Sequence, residues 1–261
     1  MPLVALIMID GLRPDAVTHC PTLSGVFERG AYTLRASSVM PSITLPCHMS
    51  IFHSVPPSRH GVTTNTWSPM ARPLPGLVEA AQAAGKRCGF VYNWEPLRNL
   101  SQPLSLHASS FRDVPYDLSS GDAFVAREAI RMMADVALDF IFVYFGTVDT
   151  SGHNHGWMSA EYLKQAEKVD GLLASVLKAM PAEAHVLIQS DHGGHDRNHG
   201  TDSPDDMTIP WVVAGPGVRG NYQLAGPISL LDTAPTLARL LGFAPHAQWE
   251  GQCVAEAFAQ V

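Results

Sequence analysis

The chain has 261 residues, of which 46% are hydrophobic and 16% charged, with a formal net charge of −7. That balance excludes a disordered chain, and with no basic run longer than Lys86-Arg87 it argues against a nucleic-acid polymer as partner. No uncharged stretch reaches the length of a membrane span, and no Pro/Gly/Ser-rich linker or repeat divides the chain, so residues 1–261 read as a single domain.

The first predicted element is a strand near 3–9, where Leu3-Val4-Ala5-Leu6-Ile7-Met8-Ile9 runs into Asp10. This stretch lacks a basic flank and a small-residue cleavage site, so it reads as a strand and not as an export signal. A helix is expected near 14–29, a strand near 32–38, and a short helix near 45–53 opened by the turn Met40-Pro41-Ser42-Ile43-Thr44. Further along, helices are expected near 74–84, 120–135, 159–180 and 230–241, and strands near 87–92, 139–145, 185–190 and 209–214. Gly85 and Gly242 stand where helix C-caps belong, and Ser119-Ser120-Gly121-Asp122 reads as a helix start. Strands alternating with helices predict an α/β fold, a mostly parallel central sheet with helices on both faces. Cys20, Cys47, Cys88 and Cys253 form no CxxC pair and read as reduced thiols of a cytoplasmic protein.

Three aspartates sit just past strand-like runs. Asp10 follows the first; Asp149 lies beyond Phe140-Ile141-Phe142-Val143-Tyr144-Phe145, with His153 four positions later; Asp191 closes Val186-Leu187-Ile188-Gln189-Ser190, with His192 next and His199 after a short loop. Open α/β sheets bind ligands beyond the carboxyl ends of their strands, so three acidic ends can meet there. Carboxylates packed together repel unless cations neutralise them, which points to metal. Taken singly, each aspartate reads equally well as a helix N-cap. Thr44 falls at a predicted helix N-terminus, where free amides favour an anion and a hydroxyl beside a metal can become a nucleophile.

The ordered set Asp10, Thr44, Asp149/His153, Asp191-His192 and His199-Gly200 resembles the alkaline phosphatase superfamily, and most of all its type I phosphodiesterase and nucleotide pyrophosphatase branch. Supporting pieces are His60-Gly61-Val62 with Asn65, Ile209-Pro210 leading to Gly215-Pro216-Gly217-Val218, Asp232-Thr233-Ala234-Pro235-Thr236-Leu237, and Glu250-Gly251. The resemblance implies a minimal alkaline phosphatase-like core without large insertions. It assigns Asp10, Thr44, Asp191 and His192 to one divalent metal ion and Asp149, His153 and His199 to a second. Zinc is the family default, and mixed carboxylate and imidazole donors suit zinc or manganese better than calcium. The implied chemistry is hydrolysis of a small-molecule phosphate ester, most of all a phosphodiester, by in-line attack of Thr44 and a phospho-threonine intermediate.

Two departures bear on the substrate. Cys47 stands three residues after Thr44, where relatives usually carry an asparagine that bonds a phosphoryl oxygen, and only six residues separate His192 from His199, where larger relatives carry an insertion. Cys47, Asn65 and Trp67 are the candidate substrate contacts, Trp67 as a stacking surface for a nucleobase or aryl group. His195 is expected beside the donors or exposed, and His48 and His60 are expected to be structural. Alternatives are a phosphonate or phosphomonoester hydrolase of the same superfamily and, from another class, a non-catalytic metal-binding protein. A sulfatase is disfavoured because Thr44-Leu45-Pro46-Cys47-His48 offers no modifiable cysteine or serine at the nucleophile.

Overall fold

In the computed structural model, residues 2–259 are described. The strands are β1 (Val4–Ile9), β2 (Gly30–Ser37), β3 (Cys88–Tyr92), β4 (Ala108–Phe111), β5 (Phe140–Phe145), β6 (His185–Gln189), β7 (Thr208–Ala214) and β8 (Tyr222–Gln223). The helices are α1 (Pro21–Arg29), α2 (Thr44–His53), α3 (Pro57–His60), α4 (Leu77–Ala83), α5 (Gly121–Asp135), α6 (Thr147–His155), α7 (Ala160–Ala179), α8 (Pro204–Met207) and α9 (Thr233–Leu241).

The strands form one sheet in the order β4-β3-β5-β1-β6-β7-β2-β8. All pairings are parallel except those of β7, which runs antiparallel to both β6 and β2. Successive side chains of a strand point to opposite faces, and both faces of this sheet are covered. Val4, Leu6 and Met8 of β1 join one core with Leu45, Met49 and Phe52 of α2, Leu77 of α4 and Leu237 of α9. Ala5, Ile7 and Ile9 join the other, with Leu23 of α1, Val125 of α5 and Val169 and Leu173 of α7. That double burial is why β1, β5 and the centre of β6, Val186-Leu187-Ile188, are hydrophobic without alternation.

The expected α/β architecture is present, with local differences. The helix expected over 14–29 is two pieces, a 3-10 helix at Pro14–His19 and α1, because Pro21 has no N–H to continue the first and instead opens the second. The helix expected near 230–241 likewise begins as a 3-10 turn, Leu230–Asp232, before α9. Gly85 and Gly242 both take the left-handed conformation (φ 75°) at the ends of α4 and α9. The short edge strands β4 and β8 and the helices α3, α6 and α8 were not among the expected elements. Among the described residues, no helix is long and apolar enough to cross a membrane.

Candidate metal centre

The central strands β5, β1 and β6 are adjacent and parallel, so their carboxyl ends open at one edge. Asp10 directly follows β1 and Asp191 follows β6 by one residue, while Asp149 lies in the first turn of α6 after β5. The Asp149–His153 spacing therefore puts both side chains on one helix face, with His153 Nε2 3.5 Å from Asp149 Oδ1. His199 Nε2 approaches the same oxygen at 3.6 Å. His192 Nε2 lies 3.3 Å from Asp10 Oδ1, 3.5 Å from Asp191 Oδ2 and 3.2 Å from Thr44 Oγ1.

Two clusters result, each with donor atoms within 4.8 Å of one another: Asp10, Asp191 and His192 in one, Asp149, His153 and His199 in the other. The imidazoles of His192 and His199 stack at 3.8 Å between ring centroids, so the clusters touch. Thr44 begins α2 at their side, and Leu45 N–H donates to Asn65 Oδ1 at 2.9 Å, which brings Asn65 to the same helix start.

Two observations test whether these residues suit divalent cations. Asp10 Oδ1, Asp149 Oδ1 and Asp191 Oδ2 are buried without a hydrogen-bond partner, a costly arrangement that a cation would relieve. In addition, each imidazole donates its Nδ1–H to a backbone carbonyl: His192 to Gly193 O (2.8 Å), His199 to Ser42 O (2.8 Å) and His153 to Arg197 O (3.0 Å). A carbonyl only accepts, so Nδ1 carries the proton and all three Nε2 lone pairs converge inward, the tautomer a metal ligand needs. The residues fit the group.

Charge agrees. Burial, then the neighbouring Asp191 and Asp149, hold the Asp10 carboxyl well above the usual carboxylate range, against the bond it accepts from Tyr144. Burial also raises Asp149. Burial would raise Asp191 too, but His192, His48 and the Gly11 amide hold it below its ordinary value. Burial and then His192 push His199 down to about 3, leaving it neutral and able to bind.

Cys47 and Trp67 are placed differently from expectation. Cys47 is fully buried, its Sγ 3.2 Å from Ser38 Oγ, so the thiol presents no surface to a substrate. Trp67 is 42% exposed and lines a groove of 490 Å³ with Met49, His53 and Leu74, which none of the clustered donors lines. At about 100° per residue, Met49 and His53 face away from Thr44 on α2. Trp67 thus stands in a groove apart from the clustered donors.

Several polar side chains behind the clusters were not anticipated. Tyr144 Oη donates to Asp10 Oδ2, which leaves Oδ1 facing His192. His48, expected to be structural, donates from Nδ1 to Thr44 O at 2.8 Å, with Asp191 Oδ2 3.5 Å from the same nitrogen. Asp122 accepts from Asn93 Nδ2 (2.9 Å), Gly146 N (3.0 Å), Thr147 N (3.1 Å) and the Thr147 hydroxyl, and so caps α6 from another helix. Polar groups inside apolar runs, Tyr144 in β5 above all, were the available signal.

The sequence profile of the type I phosphodiesterase / nucleotide pyrophosphatase family matches residues 4–208. The chain belongs to this family. Among curated phosphodiesterase relatives, it is similar to ectonucleotide pyrophosphatase/phosphodiesterase family member 1 of Homo sapiens, 23% identical over 219 residues covering 74% of this chain and 23% of that protein. It thus spans about a quarter of the length of such relatives. Among solved structures, an inactive form of murine ectonucleotide pyrophosphatase/phosphodiesterase 5 in complex with AMP superposes with a TM-score of 0.76 at 15% identity, covering 99% of this chain and 100% of that one. A 2-O GAG sulfatase superposes with a TM-score of 0.82 at 17% identity, covering 98% of this chain and 74% of that chain. Phosphodiesterase-family and sulfatase structures thus share this fold.

Proposed function

We propose that this phosphodiesterase-family chain is a two-metal hydrolase of phosphate esters that acts through a phospho-threonine intermediate. The observation that carries the reading is the pair of clusters, with three unpartnered carboxylate oxygens and three inward lone pairs, beside Thr44 at the start of α2. Asp10, Asp191, His192 and Thr44 would hold one divalent cation, and Asp149, His153 and His199 the other. Zinc or manganese there supplies Lewis-acid polarisation of the phosphoryl group and lowers the pKa of the nucleophile.

The chain's own groups do the rest. Thr44 Oγ1 would lose its proton to solvent, since the lone pair of His192 Nε2, 3.2 Å away, is committed as a ligand, and would attack phosphorus in line as the bond to the ester oxygen breaks; the departing alcohol or phosphate takes its proton from solvent. At the start of α2, Leu45 N–H is taken by Asn65 Oδ1, Pro46 has no N–H and Cys47 N–H bonds Ile43 O, which leaves Thr44 N–H to steady a phosphoryl oxygen, while Asn65 offers its Nδ2 to another. Attack by water on the phospho-threonine then restores Thr44.

Small-molecule diesters are the preferred class. The notable lack in the sequence is an arginine near Thr44 matched to clamping a dianion, the role in which a bidentate guanidinium excels. The AMP bound by the murine structural relative makes nucleotide esters the first to try.

The test is turnover of bis-p-nitrophenyl phosphate, p-nitrophenyl phosphate and an aryl phosphonate by wild type and Thr44→Ala, with metal content measured in both. Thr44→Ala should keep its metal and lose on the order of a thousandfold in kcat. Retention of more than about a tenth of kcat would replace the covalent route by direct attack of water. A monoester preference of about tenfold would withdraw the diesterase assignment and leave the monoesterase alternative.

A further inference from the structure

We propose that Asp206 is a positioning residue for the second cluster, Asp149, His153 and His199, acting through His195 and Thr201. The inference rests on the reading of that cluster as a metal site.

The loop after Asp191 carries or orients most of this cluster. His195 and Asn198 exchange backbone hydrogen bonds, 2.9 Å each way, and close a tight turn with Asp196 (φ 48°) and Arg197 at its tip. The Arg197 carbonyl at that tip takes the Nδ1–H of His153. His199 follows the turn directly and gives its own Nδ1–H to Ser42 O, while Ser42 Oγ donates to Thr201 O at 2.8 Å. Both imidazoles of the cluster are therefore aimed by contacts that this loop makes.

Little apolar packing holds the loop, since Asp196, Arg197 and Asn198 are exposed. Trp157 N–H to Asp196 O (2.7 Å), Gly194 N–H to Asp205 O (2.9 Å) and Arg13 to Gly194 O (3.0 Å) hold its tip and its start, and the segments flanking His199 are tied by one fully buried carboxylate. Asp206 Oδ1 accepts from His195 Nδ1 at 2.7 Å, and Oδ2 accepts from Thr201 N at 2.9 Å and Thr201 Oγ1 at 2.7 Å. The two oxygens thus tie the loop on either side of His199. Burial alone would raise this carboxyl, yet the bonds from His195 and Thr201 hold it below its ordinary value, so the clasp is ionised at neutral pH.

The first cluster depends on different partners. Asp10 leans on Tyr144 and Asp191 on the Gly11 amide, while His192 gives its Nδ1–H to Gly193 O. Asp206 reaches that end only through its backbone carbonyl, which accepts from Gly193 N at 2.8 Å and survives a side-chain substitution. Loss of the carboxylate should therefore strike the second cluster and spare the first. Partners behind metal ligands commonly govern affinity by about 10- to 100-fold.

The experiment is a zinc titration of the 261-residue wild-type chain, Asp206→Ala, His195→Ala and His195→Asn against a competing chelator. Uptake is followed through the imidazole NMR signals of His192 on one side and of His153 and His199 on the other. Asp206→Ala and His195→Ala should weaken binding at His153 and His199 by tenfold or more, with binding at His192 within about threefold of wild type. His195→Asn should recover most of the loss, because its amide N–H can stand where Nδ1 stood. Equal weakening at both clusters, or weakening at neither, overturns the proposal, as does failure of His195→Asn to outperform His195→Ala. Should Asp206→Ala fail to fold, the pair of substitutions at half-exposed His195 decides the matter. A wild type that takes up no zinc overturns the metal reading itself, a result distinct from unselective weakening in the variants.

Discussion

Replacing Asp122 with asparagine keeps the shape of the side chain and removes one acceptor oxygen. In the native chain each oxygen of this buried carboxylate accepts two bonds, one from Asn93 Nδ2 and Gly146 N, the other from Thr147 N and Oγ1. Whichever way the new amide turns, its NH₂ faces two donors. Each hydrogen bond to a charged acceptor contributes about 1.5–3 kcal/mol, so two lost bonds amount to about 3–6 kcal/mol. Burial raises the Asp122 carboxyl despite those bonds, so the neutral amide recovers part of the loss, and a net destabilisation of about 3 kcal/mol is expected. Helix α6 has no N-cap side chain of its own, so the damage falls at Gly146–Thr147, two residues before Asp149. For a chain of this size that corresponds to a fall in Tm of about 6–12 °C, measurable by calorimetry, with weaker metal binding at the Asp149 cluster. A destabilisation below about 1 kcal/mol would show that α6 holds its start without this carboxylate and refute the reasoning.

Metal binding should release protons, because Asp10 and Asp149 sit above the ordinary carboxylate range for reasons of burial and crowding. Zinc affinity is therefore expected to strengthen as pH rises from 5 to 8, and an affinity that is flat across that range would count against the charge argument. His60 accepts Val62 N–H at Nδ1 (3.1 Å) and meets Ser50 Oγ from Nε2 (3.0 Å), and burial pushes it down to about 4. The unfolded chain takes up a proton near pH 6.5 that the folded chain refuses, so stability is full above 6.5 and lost as pH falls towards 4. Between pH 7 and 5 this residue alone accounts for about 2 kcal/mol, and urea unfolding of wild type against His60→Gln should show that difference in acid sensitivity. Cys47→Asn should bury an amide beside Ser38 and destabilise by about 1–3 kcal/mol without improving diester turnover; a rise in kcat/KM would instead place position 47 in contact with the phosphoryl group.

The parts of the fold that were legible in the sequence are those whose residues obey one rule at a time. The run before Asp10, the run after Asp139 and Val186-Leu187-Ile188 are continuously hydrophobic because both faces of β1, β5 and β6 are buried, and that pattern survives without tertiary knowledge. Helix α6 was hidden because Thr147-Val148-Asp149-Thr150-Ser151-Gly152 has poor helix propensity, and its start is capped from α5 by Asp122 across 25 residues of sequence. Asn65 and Trp67 are neighbours in sequence, yet one touches the start of α2 and the other lines the groove on its far side. The clustered aspartates and histidines were legible as a set because their order matches a family. The groups that aim them were not, since Tyr144, Asp122 and Asp206 meet their partners only after the chain has folded.

The clustered donors lie beyond the carboxyl ends of three neighbouring strands, with β1 between β5 and β6. Adjacent strands lie about 4.8 Å apart, whatever side chains they carry. That spacing fixes how far Asp10 stands from Asp191 and His192, while the second set, carried by α6 and the loop through His199, is referred to it through the start of α6 after β5. Changes in the loop between His192 and His199, or in the segment after Asn65, would alter what surrounds the donors without altering that strand spacing.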